Sequence, residues 1–447
     1  MAELERLIVE LAYNESYGKI PASVLDRAKL VILDTLGVAI RGNQTPYIRS
    51  AASALAPQIK NGSTLIALGR RSTAPLAALI NASGTTTLEL DETLRHGGGH
   101  CAVQVLPGAI AMAEQVGASG REVLTAFVCA YELGARLGKI LSPFKSTLHP
   151  HGIWAAPAAA LAASLVQGLR QEETIEAMRI ACNLSITSSF STAFEGATVR
   201  DFYAGFAAHN GLVASLLARE GVTGAKNAIL SVLRPAVSQN ELGDGLEEAF
   251  ADFGKNFYIE SNHLKPYAAC FSVQAPIDAG LSLNGSVDPR NIERIDVYST
   301  KLSARLARRD PQNALAAKFS IPYGVASSII FGAAGPEEFS DTYVRQAGVQ
   351  ALSAKVNVFA DKEITNRAPE KWGVRLEVFE KNGRKKVVEV EDTVGIGNDG
   401  NYRGRVERKF ESLALVVYTE RRIREIRAAV SRLDESPGVR SLTNLLA

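Results

Sequence analysis

The sequence predicts a mainly α-helical protein with a helical body, an α+β insertion and a helical tail. Apolar residues recur at the spacing of amphipathic helices over about the first 260 positions, where no alternating strand is evident. After His263, several short runs alternate apolar and charged residues, which is the pattern of half-buried strands. Helical spacing returns at about Tyr402 and continues to Leu446. These changes of pattern divide the chain into three stretches.

The helical body is predicted from shared apolar faces and from signals that begin and end helices. The apolar residues of 4–11 and of 24–36 each repeat on one helix face. Ser119 and Glu122 have the spacing of a capping box, so a helix is expected to begin there. Further helices are predicted at about 103–116, 151–167, 171–184 and 204–220, with glycines in stop positions at 117, 168 and 221.

The α+β insertion is predicted to start with a helix at about 271–283 and to continue as strands. Its clearest signal is Asn382-Gly383, a strong two-residue hairpin turn between two alternating apolar runs. An antiparallel hairpin is therefore expected at this point. Strands are predicted at 292–299, 355–359, 374–378 and 388–390.

Length and composition indicate a globular protein of two domains. The chain has 447 residues, which is more than a single core usually supports. Apolar residues make up 46% and charged residues 21%, so disordered, collagen-like and coiled-coil classes are excluded. The 49 basic and 47 acidic residues leave a formal charge of +2 and form no basic-aromatic surface, so no nucleic-acid partner is predicted.

No membrane partner and no export segment are predicted. The longest apolar run, at about 154–166, contains Pro157 and Ser164 and is shorter than the ~18 residues that a membrane span needs, so it is expected to be a buried helix. The N-terminus has acidic residues and lacks the order of an export signal, so a cytoplasmic protein is expected. The four cysteines are widely spaced, which favours reduced thiols in the core over a metal site.

The segment from Glu89 to His100 is the most informative candidate for chemistry. It reads Glu-Leu-Asp-Glu-Thr-Leu-Arg-His-Gly-Gly-Gly-His. A run of three glycines is tolerated where the backbone turns sharply or comes close to a ligand. Carboxylates, a hydroxyl and basic side chains on such a loop are suited to converge on a small anion. We therefore predict an active-site loop in which Glu89, Asp91, Thr93 and His100 are functional.

Histidines mark this loop and a second one. His96 and His100 flank the triple glycine, and His149 and His151 stand two positions apart beyond it. Imidazole titrates near neutral pH, so it suits proton transfer or metal binding. The spacing matches no compact metal motif, and neither a metal nor a cofactor is predicted. A metal site built from Asp91, His100, His149 and His151 is the alternative.

Two further segments each place a cation close to a phenol: Arg200 precedes Tyr203, and Lys265 precedes Tyr267. Lys265 lies where the α+β insertion begins, and junctions between domains are preferred ligand sites. Arg and Lys bind carboxylates through charge-assisted hydrogen bonds and stabilise the enolate-like charge that develops when a neighbouring proton is removed. The predicted substrate class is therefore a small polycarboxylate, and its chemistry requires no cofactor.

In these motifs the sequence resembles the MmgE/PrpD family, whose members include dehydratases, decarboxylases and epimerases of small carboxylic acids. The resemblance spans nearly the whole chain, and the order and spacing of its segments are specific. The segments that carry it are Ala28-Lys29, 33–39, Leu90-Asp91-Glu92-Thr93, His149-Pro150-His151-Gly152, Ala204-Gly205, Asn210-Gly211, 265–270 and Phe319-Ser320-Ile321-Pro322-Tyr323.

The resemblance implies a large all-helical domain built from both chain ends, 1–264 and 396–447. A smaller α+β lid domain, 265–395, would be inserted between them. The resemblance also implies a homodimer and an active site between the two domains. This plan agrees with the division that the sequence pattern indicates by itself.

The resemblance also assigns residues to the site. They are Asp91, Thr93 and His100 in the acidic loop, His149 in the second loop, Arg200 where the family commonly has lysine, and Lys265 at the lid entrance. The chain departs from the family pattern elsewhere: Glu89 replaces an aspartate, Tyr203 and Ser272 replace histidines, and the usual Gly/Pro-rich segment near the C-terminus reads Gly397-Asn398-Asp399-Gly400. The longer Glu89 changes the reach of the first carboxylate.

Together these observations predict a cofactor-independent lyase similar to 2-methylcitrate dehydratase. It would remove a proton beside a carboxylate of a small di- or tricarboxylic acid and expel water or another group. The predicted roles are acid/base catalysis for His149 with Asp91, carboxylate binding and charge stabilisation for Arg200, Lys265 and His100, and support from Tyr203, Tyr267, Thr93 and His151. Three alternatives stay open: an epimerase of the iminodisuccinate type, a metal-dependent hydrolase or lyase, and a small-anion binder without catalysis.

Overall fold

The structure is a computed structural model that describes residues 4–95, 99–186, 188–240, 246, 248–393, 395 and 401–447. His96, the first two glycines of the triple-glycine run, the 397–400 segment and the predicted boundary at 396 lie outside the described residues. The fold is mainly helical, as predicted, with a small mixed sheet in the C-terminal half.

The helices of the described residues follow the predicted order along the chain. They are α1 Leu4–Asn14, α2 Ala22–Gly42, α3 Pro46–Leu55, α4 Ala74–Thr86, α5 Ala102–Val116, α6 Gly120–Leu141, α7 Ala155–Gln167, α8 Gln171–Asn183, α9 Ser191–Glu195, α10 Tyr203–Arg219, α11 Arg234–Val237, α12 Phe271–Leu283, α13 Ala314–Lys318, α14 Ile321–Phe331, α15 Asp341–Val344, α16 Ala347–Ser353, α17 Lys362–Arg367, α18 Tyr402–Ala414, α19 Glu420–Ser431 and α20 Arg440–Leu446.

Local signals fix several of these boundaries as the sequence predicts. At the start of α6, Ser119 and Glu122 form the capping box: the Glu122 N–H donates to Ser119 Oγ (3.3 Å) and the Ser119 N–H donates to the Glu122 carboxylate (2.6 Å). Gly117 and Gly168 end α5 and α7 in the left-handed region, at φ 76° and 65°. The apolar run at 154–166 forms the buried helix α7, and none of the described helices has both the length and the apolar character of a membrane span.

Six strands form two sheets among the described residues. They are β1 Ser63–Leu65, β2 Arg70–Ser72, β3 Ile292–Ser299, β4 Val356–Ala360, β5 Val374–Glu380 and β6 Lys385–Val390. The larger sheet has the order β4-β3-β5-β6, in which β3 and β4 are parallel and the other pairs are antiparallel. The predicted hairpin is present, with Gly383 at φ 80° in its turn.

The antiparallel pair β1–β2 corrects the expectation that the first 260 residues contain no strand. Each strand has only three residues, which is too short to show an alternating pattern. All three residues of β1 are buried, so the strand lacks the polar face that alternation would require. The helical body is therefore not entirely helical.

Two large clusters of buried apolar side chains form the core. The first joins the N-terminal helices to the C-terminal ones, and the second is built mainly from residues 268–390. Helix α18 packs on α2, where a Cβ added at Gly37 would lie 2.9 Å from Phe410. The acidic loop runs between the clusters, because Leu88 and Leu90 belong to the second and Leu94 to the first. The predicted domain boundaries at 264/265 and 395/396 stay predictions.

The crossing of α10 over α4 depends on Gly205. A Cβ at this position would lie 2.5 Å from the Leu79 carbonyl oxygen and 2.1 Å from Ser83 Oγ. Because a backbone atom blocks the space, a side-chain rotation cannot relieve the clash. We expect Gly205→Ala to lower the free energy of unfolding by about 1–3 kcal/mol in urea denaturation.

Gly348→Ala is the matched control for this prediction. Gly348 also lies in a helix, α16, but a Cβ there would meet no atom within 4 Å. This change should leave stability unchanged or raise it by about 0.5–1 kcal/mol. Equal stability of the two variants would show that the α4–α10 contact is not tight.

Candidate active site

The acidic loop leaves the end of α4 and presents alternate side chains to opposite sides. Leu88 and Leu90 join the apolar core, whereas Glu89 and Asp91 both contact the ammonium of Lys265. Glu89 has a positive φ of 52°, which a residue with a Cβ adopts at a cost of roughly 1–3 kcal/mol. Such local strain persists only where the surrounding contacts impose it.

Lys265 and Arg200 supply the cations of the site, and both are fully buried. The Lys265 Nζ lies 3.1 Å from Asp91 Oδ1 and 3.3 Å from Glu89 Oε2. Arg200 lies in the 3₁₀ turn Thr198–Phe202 before α10 and forms ion pairs with Glu89 and, at 3.3 Å, with Asp201. Its Nη1 also donates to the carbonyl of Thr86 (3.2 Å). Glu89 therefore joins the two cations.

This pairing keeps the buried groups charged. Burial alone would raise the pKa of Asp91, but Lys265 and His100 hold that pKa well below its usual range. Burial alone would lower the pKa of Lys265, and the carboxylates of Asp91 and Glu89 raise it instead. The same balance, with Glu89 and Asp201 as the opposing charges, raises the pKa of Arg200.

Three histidine rings border the charged groups. His100 and His151 meet edge-on with ring centroids 4.4 Å apart, and His149 and His151 do so at 4.7 Å. The Nδ1 of His100 lies 2.6 Å from the Glu92 carbonyl oxygen and 2.8 Å from Asp91 Oδ2. Since both neighbours are acceptors, Nδ1 carries a proton and Nε2 is the atom left for chemistry.

His149 is held in its neutral form. Burial lowers its pKa well below the usual range, and the neighbouring Arg200 lowers it further. The His151 N–H donates to His149 Nδ1 (3.1 Å), and Arg200 Nε points at His149 Nε2 from 3.4 Å. A neutral imidazole has a single acceptor nitrogen, so only one of these two donors can be hydrogen-bonded to the ring at a time. A second ring proton would face a donor at either nitrogen, which makes protonation unfavourable in this arrangement.

His151 has no exposed surface, and neither of its ring nitrogens has a hydrogen-bond partner among the described residues. Buried polar groups normally have such partners, so this ring is a candidate for contact with a ligand group. The turn that carries it is held by Ser188, whose single hydroxyl hydrogen lies between the carbonyl oxygens of His149 (2.8 Å) and His151 (2.7 Å) and donates to one of them or is shared by both.

The structure also positions three other predicted site residues, Tyr203, Thr93 and Tyr267. Tyr203 lies beside His149, with ring centroids 6.0 Å apart. Thr93 is buried and closes the loop, since its backbone pairs with His263 through two hydrogen bonds of 2.9 Å. Tyr267 donates its hydroxyl to Asp278 Oδ1 (2.6 Å) on α12, and its substrate-binding role stays a prediction.

Sequence reasoning missed two buried charged residues of the site. Glu92 accepts from the Tyr131 hydroxyl (2.5 Å) and the Ala102 N–H (3.0 Å), and burial raises its pKa to about 7. Lys318 donates to the Thr87 carbonyl (2.6 Å) at the end of α4. The position of Glu92 inside the acidic motif was a signal for it, whereas Lys318 has no sequence signal of its own.

The same cluster contains donors that fit a metal ion. One ligand atom each from Asp91, His100 and His151 can be chosen so that all lie within 4.8 Å of one another. Two imidazoles and one carboxylate suit zinc or iron(II). Asp91 already pairs with Lys265, however, and that buried cation opposes a second positive charge on the same carboxylate.

Fold and site together define a mainly helical protein with a buried cluster of paired carboxylates, cations and neutral imidazoles between two apolar cores. The MmgE/PrpD N-terminal domain matches residues 6–232 and the MmgE/PrpD C-terminal domain matches residues 267–435. The chain belongs to the MmgE/PrpD family.

Curated relatives match over most or part of the chain. A cis-aconitate decarboxylase of Aspergillus terreus is 26% identical over 470 residues, which cover 98% of this chain and 95% of that protein. The cis-aconitate decarboxylase-like protein oryM of Aspergillus oryzae is 27% identical, covering 100% and 97%. A human cis-aconitate decarboxylase is 28% identical over 222 residues, covering 47% and 45%.

The buried neutral histidines predict a pH-dependent stability. The pKa values of His149, His151 and His263 lie well below 6.5 in the folded protein. Below about pH 6.5 the unfolded chain takes up protons that the folded protein does not, so the free energy of unfolding falls with pH. Each histidine should contribute about 1 kcal/mol of loss between about pH 7.5 and 5.5.

Urea denaturation of the wild type and of His151→Asn at both pH values isolates one of these contributions. The raised pKa values of Glu92 and Glu132, about 7 each, act with the opposite sign and are common to both proteins. We expect the variant to lose about 1 kcal/mol less than the wild type on acidification. An identical loss in the two proteins would mean that His151 titrates alike in both states.

Proposed function

We propose that this protein is a cofactor-independent lyase that acts on a small di- or tricarboxylic acid by moving a proton next to a carboxylate. The observation that carries the proposal is the neutral His149 ring beside Arg200, inside a cluster that also contains Lys265. Family membership and the cis-aconitate decarboxylases among the relatives support a lyase of small carboxylic acids.

Carboxylate binding would use Arg200 and Lys265. The planar guanidinium can hold a carboxylate through two parallel hydrogen bonds, and the ammonium adds a point charge. Both cations already bind Glu89, so a substrate carboxylate would exchange with this side chain at one of them. A neutral molecule of similar size could not replace the negative charge of Glu89, so it would not displace this side chain from the cations.

Proton transfer would begin at His149. Its neutral ring can accept the proton from the carbon beside the substrate carboxylate, while Arg200 and Lys265 stabilise the enolate-like charge. The resulting imidazolium can then give this proton to a departing hydroxyl, so that a C–H and a C–OH bond are replaced by a double bond and water. Dehydration would therefore begin with His149 in the neutral form that it has in the free protein.

Decarboxylation is a second candidate reaction for this site, because the relatives include cis-aconitate decarboxylases. There the bond to a carboxylate breaks, carbon dioxide leaves, and a proton is delivered to carbon. That step requires the imidazolium, which a bound polyanion would stabilise against the effect of Arg200. Epimerisation would share the first proton transfer and lose no group.

Access to this site would require movement of the 265–395 segment. Arg200 and Lys265 have no exposed surface, and Lys265 stands at the predicted domain boundary. We propose that this segment is a lid that opens to admit the acid. The homodimer stays a prediction from the family resemblance.

Proton NMR in D₂O separates the three reactions. The protein would be incubated with citrate-, methylcitrate-, malate-, aspartate- and cis-aconitate-like acids. Loss of water gives an alkene, decarboxylation gives a product one carbon shorter, and epimerisation exchanges the α-hydrogen for deuterium without losing a group. If no acid of the panel reacts or exchanges, the lyase proposal is wrong.

His149→Gln should abolish turnover because the amide cannot accept the proton. We expect kcat to fall by at least about 100-fold on the acid that the panel identifies. His209→Gln is the matched control: this histidine lies on α10 and contacts Asn210 instead of the charged cluster. Near-normal turnover in His149→Gln would remove this residue from the proposed mechanism.

A metal-dependent hydrolase or lyase is the competing function, favoured by the donor cluster of Asp91, His100 and His151. Elemental analysis of the purified protein, followed by dialysis against a chelator, tests it. We expect turnover to survive dialysis. Stoichiometric metal whose removal abolishes activity, and whose return restores it, would replace our proposal with the metal-dependent one.

A further inference from the structure

Lys409 reaches the acidic loop from the far end of the chain. It lies on α18, and its Nζ donates to the carbonyl oxygen of Leu90 (2.7 Å). The same ammonium lies 2.7 Å from Asp34 Oδ1 on α2, and the side chains of Lys409 and Asp34 are only 10% and 0% exposed. This buried ion pair therefore ends on the backbone of the loop.

The bonded carbonyl belongs to the residue between the two carboxylates of the site. Leu90 separates Glu89 from Asp91, which both contact the ammonium of Lys265. A hydrogen bond to this carbonyl restricts rotation of the peptide unit that joins Leu90 to Asp91, which lies directly after Glu89-Leu90.

Side-chain ion pairs of Glu89 and Asp91 also hold the loop, and backbone hydrogen bonds fix its ends. The Glu89 N–H donates to Thr86 (3.2 Å), and Thr93 pairs with His263. Between them, the Leu90 carbonyl has Lys409 as its donor. Helix α18 is itself anchored in the core through Phe410, so the ammonium has a defined position.

We propose that Lys409, neutralised by Asp34, is a positioning residue that holds the Leu90 carbonyl and thereby orients Glu89 and Asp91 toward the cations of the site. Its effect on turnover rests on the proposed function, but its effect on the loop does not. Lys409 contacts the backbone behind the carboxylates and acts on the reaction through them.

Three variants test this role. Lys409→Met removes the ammonium at similar length but leaves Asp34 buried without this partner, so we expect it to be destabilised. Asp34→Asn/Lys409→Met removes both charges and therefore avoids that cost. Arg71→Met is the matched control, since Arg71 likewise pairs with a buried carboxylate, Glu114 (2.9 Å), and donates to a carbonyl, but lies away from the loop.

Hydrogen exchange measured by mass spectrometry reports on the loop without any substrate. We expect the peptide covering 86–95 to exchange about tenfold faster in the double variant than in the wild type, with other core peptides unchanged. The control should leave this peptide as it is. Exchange within about twofold of the wild type in the folded double variant would overturn the proposal.

Turnover supplies the second readout. The double variant should regain the melting temperature of the wild type but keep a kcat about 10- to 100-fold lower, because misdirected carboxylates are not repaired by restoring charge balance. Wild-type kcat in the double variant would contradict a positioning role. If the wild type converts no acid while the loop loosens as expected, the proposed function fails and the positioning role stands.

Discussion

Mutual neutralisation of buried charges is the constraint on which the rest of the site depends. Arg200 and Lys265 have no exposed surface and lie between two apolar cores, where a single unpaired ion would cost several kcal/mol. Glu89 satisfies both cations at once, and it does so from a backbone conformation that a residue with a side chain seldom adopts. The ion pairs therefore impose the shape of the loop.

Much of this arrangement could be predicted, because amphipathic periodicity records which face of a helix is buried. Periodicity could not predict elements that lack one buried and one exposed face. The short strand β1 is buried throughout, and Lys409 sits on a helix whose pattern shows a solvated face. A lysine whose partner is an aspartate on α2 gives no local signal, since the pairing exists only after α18 packs on that helix. Ion pairs between residues far apart in the sequence become apparent only in the folded structure.

Two departures from the family pattern acquire a joint meaning in three dimensions. In the sequence, the longer carboxylate at Glu89 and the arginine at position 200 are separate observations. In the structure they form an ion pair with each other. Arg200 has several N–H donors, so it can bind Glu89 and other groups at once. It also contacts Asp201 and the Thr86 carbonyl. The pair therefore ties the acidic loop to the start of α10.

The same pair bears on how the site would respond to a substrate. In the free protein Glu89 occupies the guanidinium, and the guanidinium in turn faces the His149 ring. If a substrate carboxylate replaced Glu89 at Arg200, Glu89 would keep its ion pair with Lys265. Each cation would then still contact a carboxylate. The added negative charge also favours a proton on His149, which raises its basicity when the acid is bound. Under the proposed function, the base would thus be weak in the empty site and stronger in the occupied one, because the substrate would have to exchange with the Glu89–Arg200 ion pair.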